Sequence, residues 1–120
     1  MSSGFRQTVN SICAALPGAQ CSDPWGGGHH SWKIADKMFA CIGVASDGVS
    51  LKTRSIETAS MLIEAGIGIK ARYFHRSWIH LEPGTDLEEL THRIHSSYDL
   101  IRANLPKKKT AELPAREGGA

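Results

Sequence analysis

The chain of 120 residues is long enough for one domain and leaves little room for a second. Its hydrophobic content of 41% supports one core, and no apolar run reaches the length of a membrane span, so we expect no membrane contact. Residues 1–105 hold equal numbers of basic and acidic residues, so the whole net charge of +2 lies in residues 106–120, which argues against a general attraction to phosphate.

The segment 4–16 is predicted to be a helix, with Ser3 as its N-cap and Pro17-Gly18 as its end. Its apolar residues recur at spacings of four, three and four, which places them on one face: Phe5, Val9, Ile12 and Leu16.

Three strands are predicted next, over 30–35, 38–43 and 49–53. Asp36-Lys37 gives a connection of hairpin length between the first two, and Ser46-Asp47-Gly48 is a turn signal before the third. A second helix follows over 55–65. Ser55 is its predicted N-cap, and Gly66 is its C-terminal stop. Its apolar stripe is Ala59, Leu62 and Ile63.

Two more strands are predicted over 69–74 and 77–81, around the turn His75-Arg76. Thr85 and Glu88 form a capping box that begins the last helix, and Pro106 ends it. Its stripe is Leu87, Leu90, Ile94, Ser97, Ile101 and Leu105. Residues 1–106 are therefore one domain, and residues 107–120 are predicted to be a disordered basic tail.

This order of elements predicts an α+β fold, a two-layer sandwich of a mainly antiparallel sheet with the terminal helices packed on one face. Alternate strand residues then point to opposite faces. The expected core side is Ile34, Val49, Leu51, Ile69, Ala71, Ile79 and Leu81. The other face would carry Lys33, Ser50, Lys52, Lys70, Arg72, Trp78 and His80. Cations interleaved with an aromatic suit contact with nucleic acid, although Lys and Arg are also the ordinary residues of a solvated sheet face.

Six segments resemble the MmcQ/YjbR family of small bacterial proteins, and the resemblance covers about residues 5–108. They are Leu16-Pro17-Gly18, Trp25-Gly26, WKIADKMFA (32–40), VSLK (49–52), YFHRSWIHL (73–81) and SSYDLIRANLPKK (96–108). The resemblance implies a CyaY-like fold and DNA binding through β-hairpins, by analogy to a double-wing arrangement. The family's recurrent basic and aromatic positions correspond to Lys33, Lys37, Lys52, Arg76 and Trp78. With Lys70 and Arg72 from the predicted face, they form the predicted site for weak contact with double-stranded DNA. Between residues 64 and 72 the chain lacks the family's usual proline-containing bend.

Several other functions remain as alternatives. A protein-interaction adaptor would use the same face, with Trp78 and Trp25 as anchors. An iron-handling role, as in frataxin with its related fold, is disfavoured because residues 4–16 contain no carboxylate. His92 and His95 are three apart on the last helix but have no evident third ligand.

No nucleophile motif or phosphate-binding glycine loop is present, so we expect no catalysis, no cofactor and no metal. The three cysteines, Cys13, Cys21 and Cys41, fit neither a zinc nor a redox spacing and are interpreted as small hydrophobic residues. Free thiols and the lack of a secretory pattern favour the cytoplasm, and we expect a monomer.

Overall fold

The computed structural model describes residues 2–23, 27–44 and 46–114, without the side chains of Ser2 and Ser3. The helices are α1 (Ser2–Ala14), α2 (Ile56–Glu64), α3 (Leu87–Ala103) and α4 (Lys107–Thr110). The strands are β1 (Ala19–Ser22), β2 (His30–Ile34), β3 (Lys37–Ile42), β4 (Val49–Lys52), β5 (Ile69–Lys70) and β6 (Trp78–Leu81). The Ser3 cap, Trp25, Gly26 and residues 115–120 of the predicted tail lie outside the described residues.

The strands form one antiparallel sheet in the order β1-β2-β3-β4-β6-β5. β6 therefore lies between β4 and β5, although β5 precedes it in the sequence. After β4, α2 leads to β5 at the edge of the sheet, and β6 then pairs with both strands. The predicted α+β fold is confirmed. The sequence did not predict β1, a short edge strand with three exposed residues out of four.

The core lies between one face of the sheet and the helices. From the sheet it contains Ile34, Ile42, Val49, Leu51, Ile79 and Leu81, and from the helices Val9, Cys13, Ala59, Leu62, Leu90, Ile94 and Tyr98. Phe39 and Tyr98 meet edge to face with their ring centroids 5.3 Å apart. The apolar periodicity of the first and last helices thus placed Val9, Leu90 and Ile94 correctly. Within the described part of the chain, no helix combines the length and apolar character that a membrane span requires.

The fifth strand is much shorter than the predicted 69–74. β5 ends at Lys70, and Tyr73 has a φ of 71°, a left-handed value that an extended strand does not contain. Ile69 pairs with His80 and Lys70 with Ile79, so Ile69 lies on the face away from the core and is 45% exposed. The prediction that Ile69 faces the core, and Lys70 the opposite face, was wrong.

The last helix begins differently from the predicted capping box. Asp86 is the N-cap, and its carboxylate accepts hydrogen bonds from the backbone N–H groups of Glu88 and Glu89. Thr85 instead donates its hydroxyl to the carbonyl of Glu82, 2.7 Å away. Leu87, which the predicted stripe included, is the first residue of α3 and is 60% exposed.

The segment after Pro106 is also more ordered than the sequence predicted. Residues 107–110 form α4, and Leu113 packs against the core beside Gly18. Arg102 donates a hydrogen bond to the Leu113 carbonyl at 3.3 Å. Order in this structure therefore extends beyond the boundary at residue 107 from which a disordered tail was expected.

Candidate functional site

The face of the sheet opposite the core, called the open face here, carries two rows of side chains that the strand register sets side by side. The outer row is Lys33, Met38, Lys52 and Trp78, and the inner row is Ser31, Cys41, Ser50, His80 and Ile69. A β-bulge at Phe39 keeps Met38 on this face even though Phe39 points into the core. Lys33 and Lys52 lie on strands separated by β3, so their backbones are roughly 10 Å apart.

The loop over residues 71–77 is fastened to the end of the outer row. The buried Ser77 accepts hydrogen bonds at its carbonyl from the N–H and the hydroxyl of Thr53, at 2.7 and 2.6 Å. Lys52 Nζ donates to Ser77 Oγ at 3.3 Å. This contact fastens the Lys52 side chain to the loop that carries the exposed Arg72 and Arg76, and we call the end of β4 together with this loop the basic region.

Three aromatic residues belong to the same region. Trp78 stacks on Phe74, with centroids 4.7 Å apart and an interplanar angle of 22°. Tyr73 is 96% exposed, and the Arg72 guanidinium lies 5.7 Å from its ring centroid. A fully exposed tyrosine held at positive φ contributes little to the core, which makes it a candidate for contact with a partner.

A cavity of about 860 Å³ lies over the inner row. Cys41, Ser50, His80 and Ile69 line it, and loop residues including Phe74 close one side. His80 Nδ1 and Ser50 Oγ are 3.0 Å apart, and a Cβ placed on Gly48 would lie 2.3 Å from His80 Nε2. The imidazole therefore lies flat along β4. Burial lowers the pKa of His80 below its ordinary value, against the opposing charge of Glu82, so the ring is neutral near pH 7.

The structure gathers some of the predicted DNA-binding residues and separates others. Lys33, Lys52 and Trp78 lie on the open face as predicted, and Arg72 and Arg76 are exposed in the loop over 71–77. Arg72 reaches this region from a loop and not from the predicted strand.

Lys70 and Lys37 are placed differently. By the strand register, Lys70 lies on the core side of the edge strand β5. Its exposed side chain nevertheless borders the cavity. Lys37 lies at the hairpin turn opposite the buried Ile34, away from the open face.

Arg6 is a structural residue of this region that the sequence gave no reason to select. Its Nε lies 2.7 Å from Asp47 Oδ1, and its Nη2 donates to the Gly43 carbonyl at 2.6 Å. Its Nη1 lies 2.8 Å from His30 Nδ1. Arg6 thus ties α1 to the turn before β4, which forms one end of the cavity. A single arginine on an amphipathic helix carries no signal for such contacts.

In the part of the chain that the structure describes, metal-binding groups show no comparable clustering. Among the described residues, no group of three or more His, Cys, Asp or Glu side chains could hold a metal ion. On α3, His92 is exposed and His95 is half-buried. Burial raises the pKa of the Cys13 and Cys41 thiols, which keeps both protonated and unreactive near neutral pH.

Comparison with known proteins gives a family and a fold. The YjbR family model matches residues 14–100. The Deinococcus radiodurans protein DR2400, which carries the DUF419 family-model domain, has a TM-score of 0.80 and 24% identity to this chain. The match covers 93% of this chain and 91% of that one, and at this identity it shows the shared fold. No match is found among the curated proteins.

Proposed function

The chain belongs to the YjbR family, and from this premise and the geometry of its open face we propose that it binds double-stranded DNA weakly and without catalysis. The resemblance that the six sequence motifs indicated is confirmed at the level of the family. The observation that carries the proposal is the basic region formed by Lys52, Arg72 and Arg76 beside the exposed ring of Tyr73.

The chemistry of this region suits a nucleic-acid backbone. Lys and Arg bind phosphates as cations and hydrogen-bond donors, and an aromatic ring beside them packs on a sugar or base. Tyr73, which is almost fully exposed, replaces Trp78 as the expected outer contact, because Trp78 is half-buried against Phe74. Lys33 extends the same row across the sheet toward β1.

The affinity should be modest. Basic and acidic residues balance over residues 1–105, so within this part of the chain the attraction to phosphate depends on a local cluster such as this one. A few phosphate contacts correspond to non-specific binding, with Kd of about 10⁻⁴–10⁻⁶ M. The Cys13 and Cys41 thiols remain protonated, which fits binding better than nucleophilic chemistry.

A comparison of two triple variants tests the proposal. One replaces Lys52, Arg72 and Arg76 with Ala; its matched control replaces Lys107, Lys108 and Lys109 on α4, which removes the same charge elsewhere. Fluorescence anisotropy with a labelled duplex would give the affinity at several salt concentrations.

We expect the first variant to lower the slope of log K against log salt by about three and the affinity by at least about tenfold. The control variant should lower the salt slope and the affinity less than the first variant does. Equal losses in the two variants would show that net charge alone drives binding, and would refute a specific role for the open face.

A protein-interaction adaptor is the second candidate, and the exposed Tyr73 beside an apolar cavity favours it. Tyr and Arg are frequent hot-spot residues in protein interfaces. Binding that is insensitive to salt but lost on Tyr73→Ala would support an adaptor over DNA.

A further inference from the structure

We propose that the cavity on the open face is a binding site for a small apolar molecule that carries one anionic group. This inference goes beyond DNA binding and does not depend on it. It rests on the size of the cavity, the composition of its walls and the charges at its rim.

The size and lining of the cavity are those of a small-molecule site. Ligand pockets typically enclose about 300–1,000 Å³ and are lined mostly by apolar groups with a few polar ones. This cavity measures about 860 Å³, and its lining is mostly apolar. Met38 and Cys41 come from β3, Ile69 comes from β5, and Phe74 comes from the loop. Three of these four side chains are held by paired strands, so the site exists before a ligand arrives.

Two polar side chains on the floor of the cavity can orient such a ligand by hydrogen bonding. Ser50 occupies Nδ1 of His80 at 3.0 Å, which leaves Nε2 as the remaining hydrogen-bonding atom of the ring. Both side chains line the cavity. Nε2 lies beside Gly48, and a polar atom within an otherwise apolar ligand would find its partner there.

The rim favours a negative charge. Lys70 and Arg72 line the cavity and are exposed, whereas Glu82 is the carboxylate in the lining. The local balance is positive although residues 1–105 are balanced as a whole. An anionic group at the Lys70 and Arg72 side would leave the body of the ligand over Met38 and Cys41. The site therefore has a higher affinity for an apolar monoanion than for a neutral or cationic molecule of similar shape.

The test uses two fluorescent probes of similar shape, the anion 1-anilinonaphthalene-8-sulfonate and its neutral analogue N-phenyl-1-naphthylamine. The variant Lys70→Glu/Arg72→Glu reverses the rim charges. Its matched control, Lys37→Glu/Arg54→Glu, reverses two exposed charges outside the cavity lining. A third variant, Ile69→Trp, fills the cavity from an exposed edge position.

We expect saturable binding of both probes to the wild type. The rim variant should weaken the anionic probe at least tenfold and the neutral probe less than twofold. The filled variant should weaken both at least threefold, and the control should change neither more than twofold. Binding that does not saturate, equal losses in the rim and control variants, or no loss in the filled variant would each overturn the proposal.

Two variants separate this inference from DNA binding. Ile69→Trp should leave the affinity for duplex DNA unchanged, and Lys52→Ala/Arg76→Ala should leave the anionic probe bound as in the wild type. A protein that binds DNA but no probe refutes only the cavity site, and a protein that binds the probe but no DNA refutes only the proposed function.

Discussion

Replacing Ser97 with Ala should destabilise the protein far more than the loss of one hydroxyl suggests. Ser97 lies in the apolar stripe of α3 and is fully buried. Its Oγ donates to the Phe39 carbonyl at 2.6 Å and accepts from the Lys52 N–H at 3.0 Å. The β3–β4 pairing ends at Ala40 and Leu51, so the hydroxyl bridges the next residue of each strand. The β-bulge at Phe39 interrupts the strand pairing between Phe39 and Lys52. Ser97 on α3 joins the two residues instead.

The Ser97→Ala variant removes the partner of the buried Phe39 carbonyl and of the partly buried Lys52 N–H. Each such group costs about 1–3 kcal/mol, and the higher helix propensity of Ala returns roughly 0.5 kcal/mol, so the expected loss is about 1.5–5.5 kcal/mol. Urea unfolding followed by tryptophan fluorescence would measure it. Ser96→Ala is the matched control on the same helix, at a half-buried position. A loss below about 0.5 kcal/mol for Ser97→Ala, within the range of surface substitutions, would refute the bridging role.

Three further predictions follow from contacts that the sequence did not reveal. Arg6→Lys should cost about 1–3 kcal/mol in urea unfolding, because an ammonium cannot replace the several directed bonds of the guanidinium to Asp47 and the neighbouring carbonyls; unchanged stability would contradict this. The folded pKa of His80 lies below its unfolded value, so the unfolded state takes up the proton first and stability should fall as pH drops below about 6.5. His80→Gln should make that fall shallower, and a steeper fall would show that the sign is wrong. Leu113→Ala should cost about 1–2 kcal/mol because the side chain packs on the core, whereas Lys108→Ala at an exposed position should cost almost nothing; equal melting temperatures would favour a tail that does not dock.

The elements with a strong hydrophobic period could be predicted from the sequence. Leu90 and Ile94 on α3 and Val9 on α1 are buried as expected, because a helix exposes the same face every three to four residues. The strand alternation likewise assigned Lys52 and Trp78 to the open face. The family motifs led to the correct family, since six segments in order are more specific than any one of them.

The parts that were missed depend on contacts between distant segments. β1 is a short edge strand whose exposed residues carry no periodic pattern. Ser50 and His80 meet only because β6 pairs with β4, although α2 and β5 separate these strands in the sequence. Tyr73 adopts a left-handed backbone that residue type does not foretell. The cavity could therefore not be predicted, even though Ser50 and His80 on its floor had been assigned to the correct face.

The measurement that tests the central proposal most directly is a titration of the isotope-labelled protein with a short DNA duplex at low salt, followed by amide NMR shifts. We expect saturable shifts on β2, β4, β6 and the loop over 71–77, with the largest near Lys52, Tyr73 and Arg76. These shifts should fade between about 50 and 200 mM salt, because phosphate contacts release counterions. Shifts confined to the lysines of α4, or no saturable shifts on the open face, would contradict the proposal that this face binds DNA.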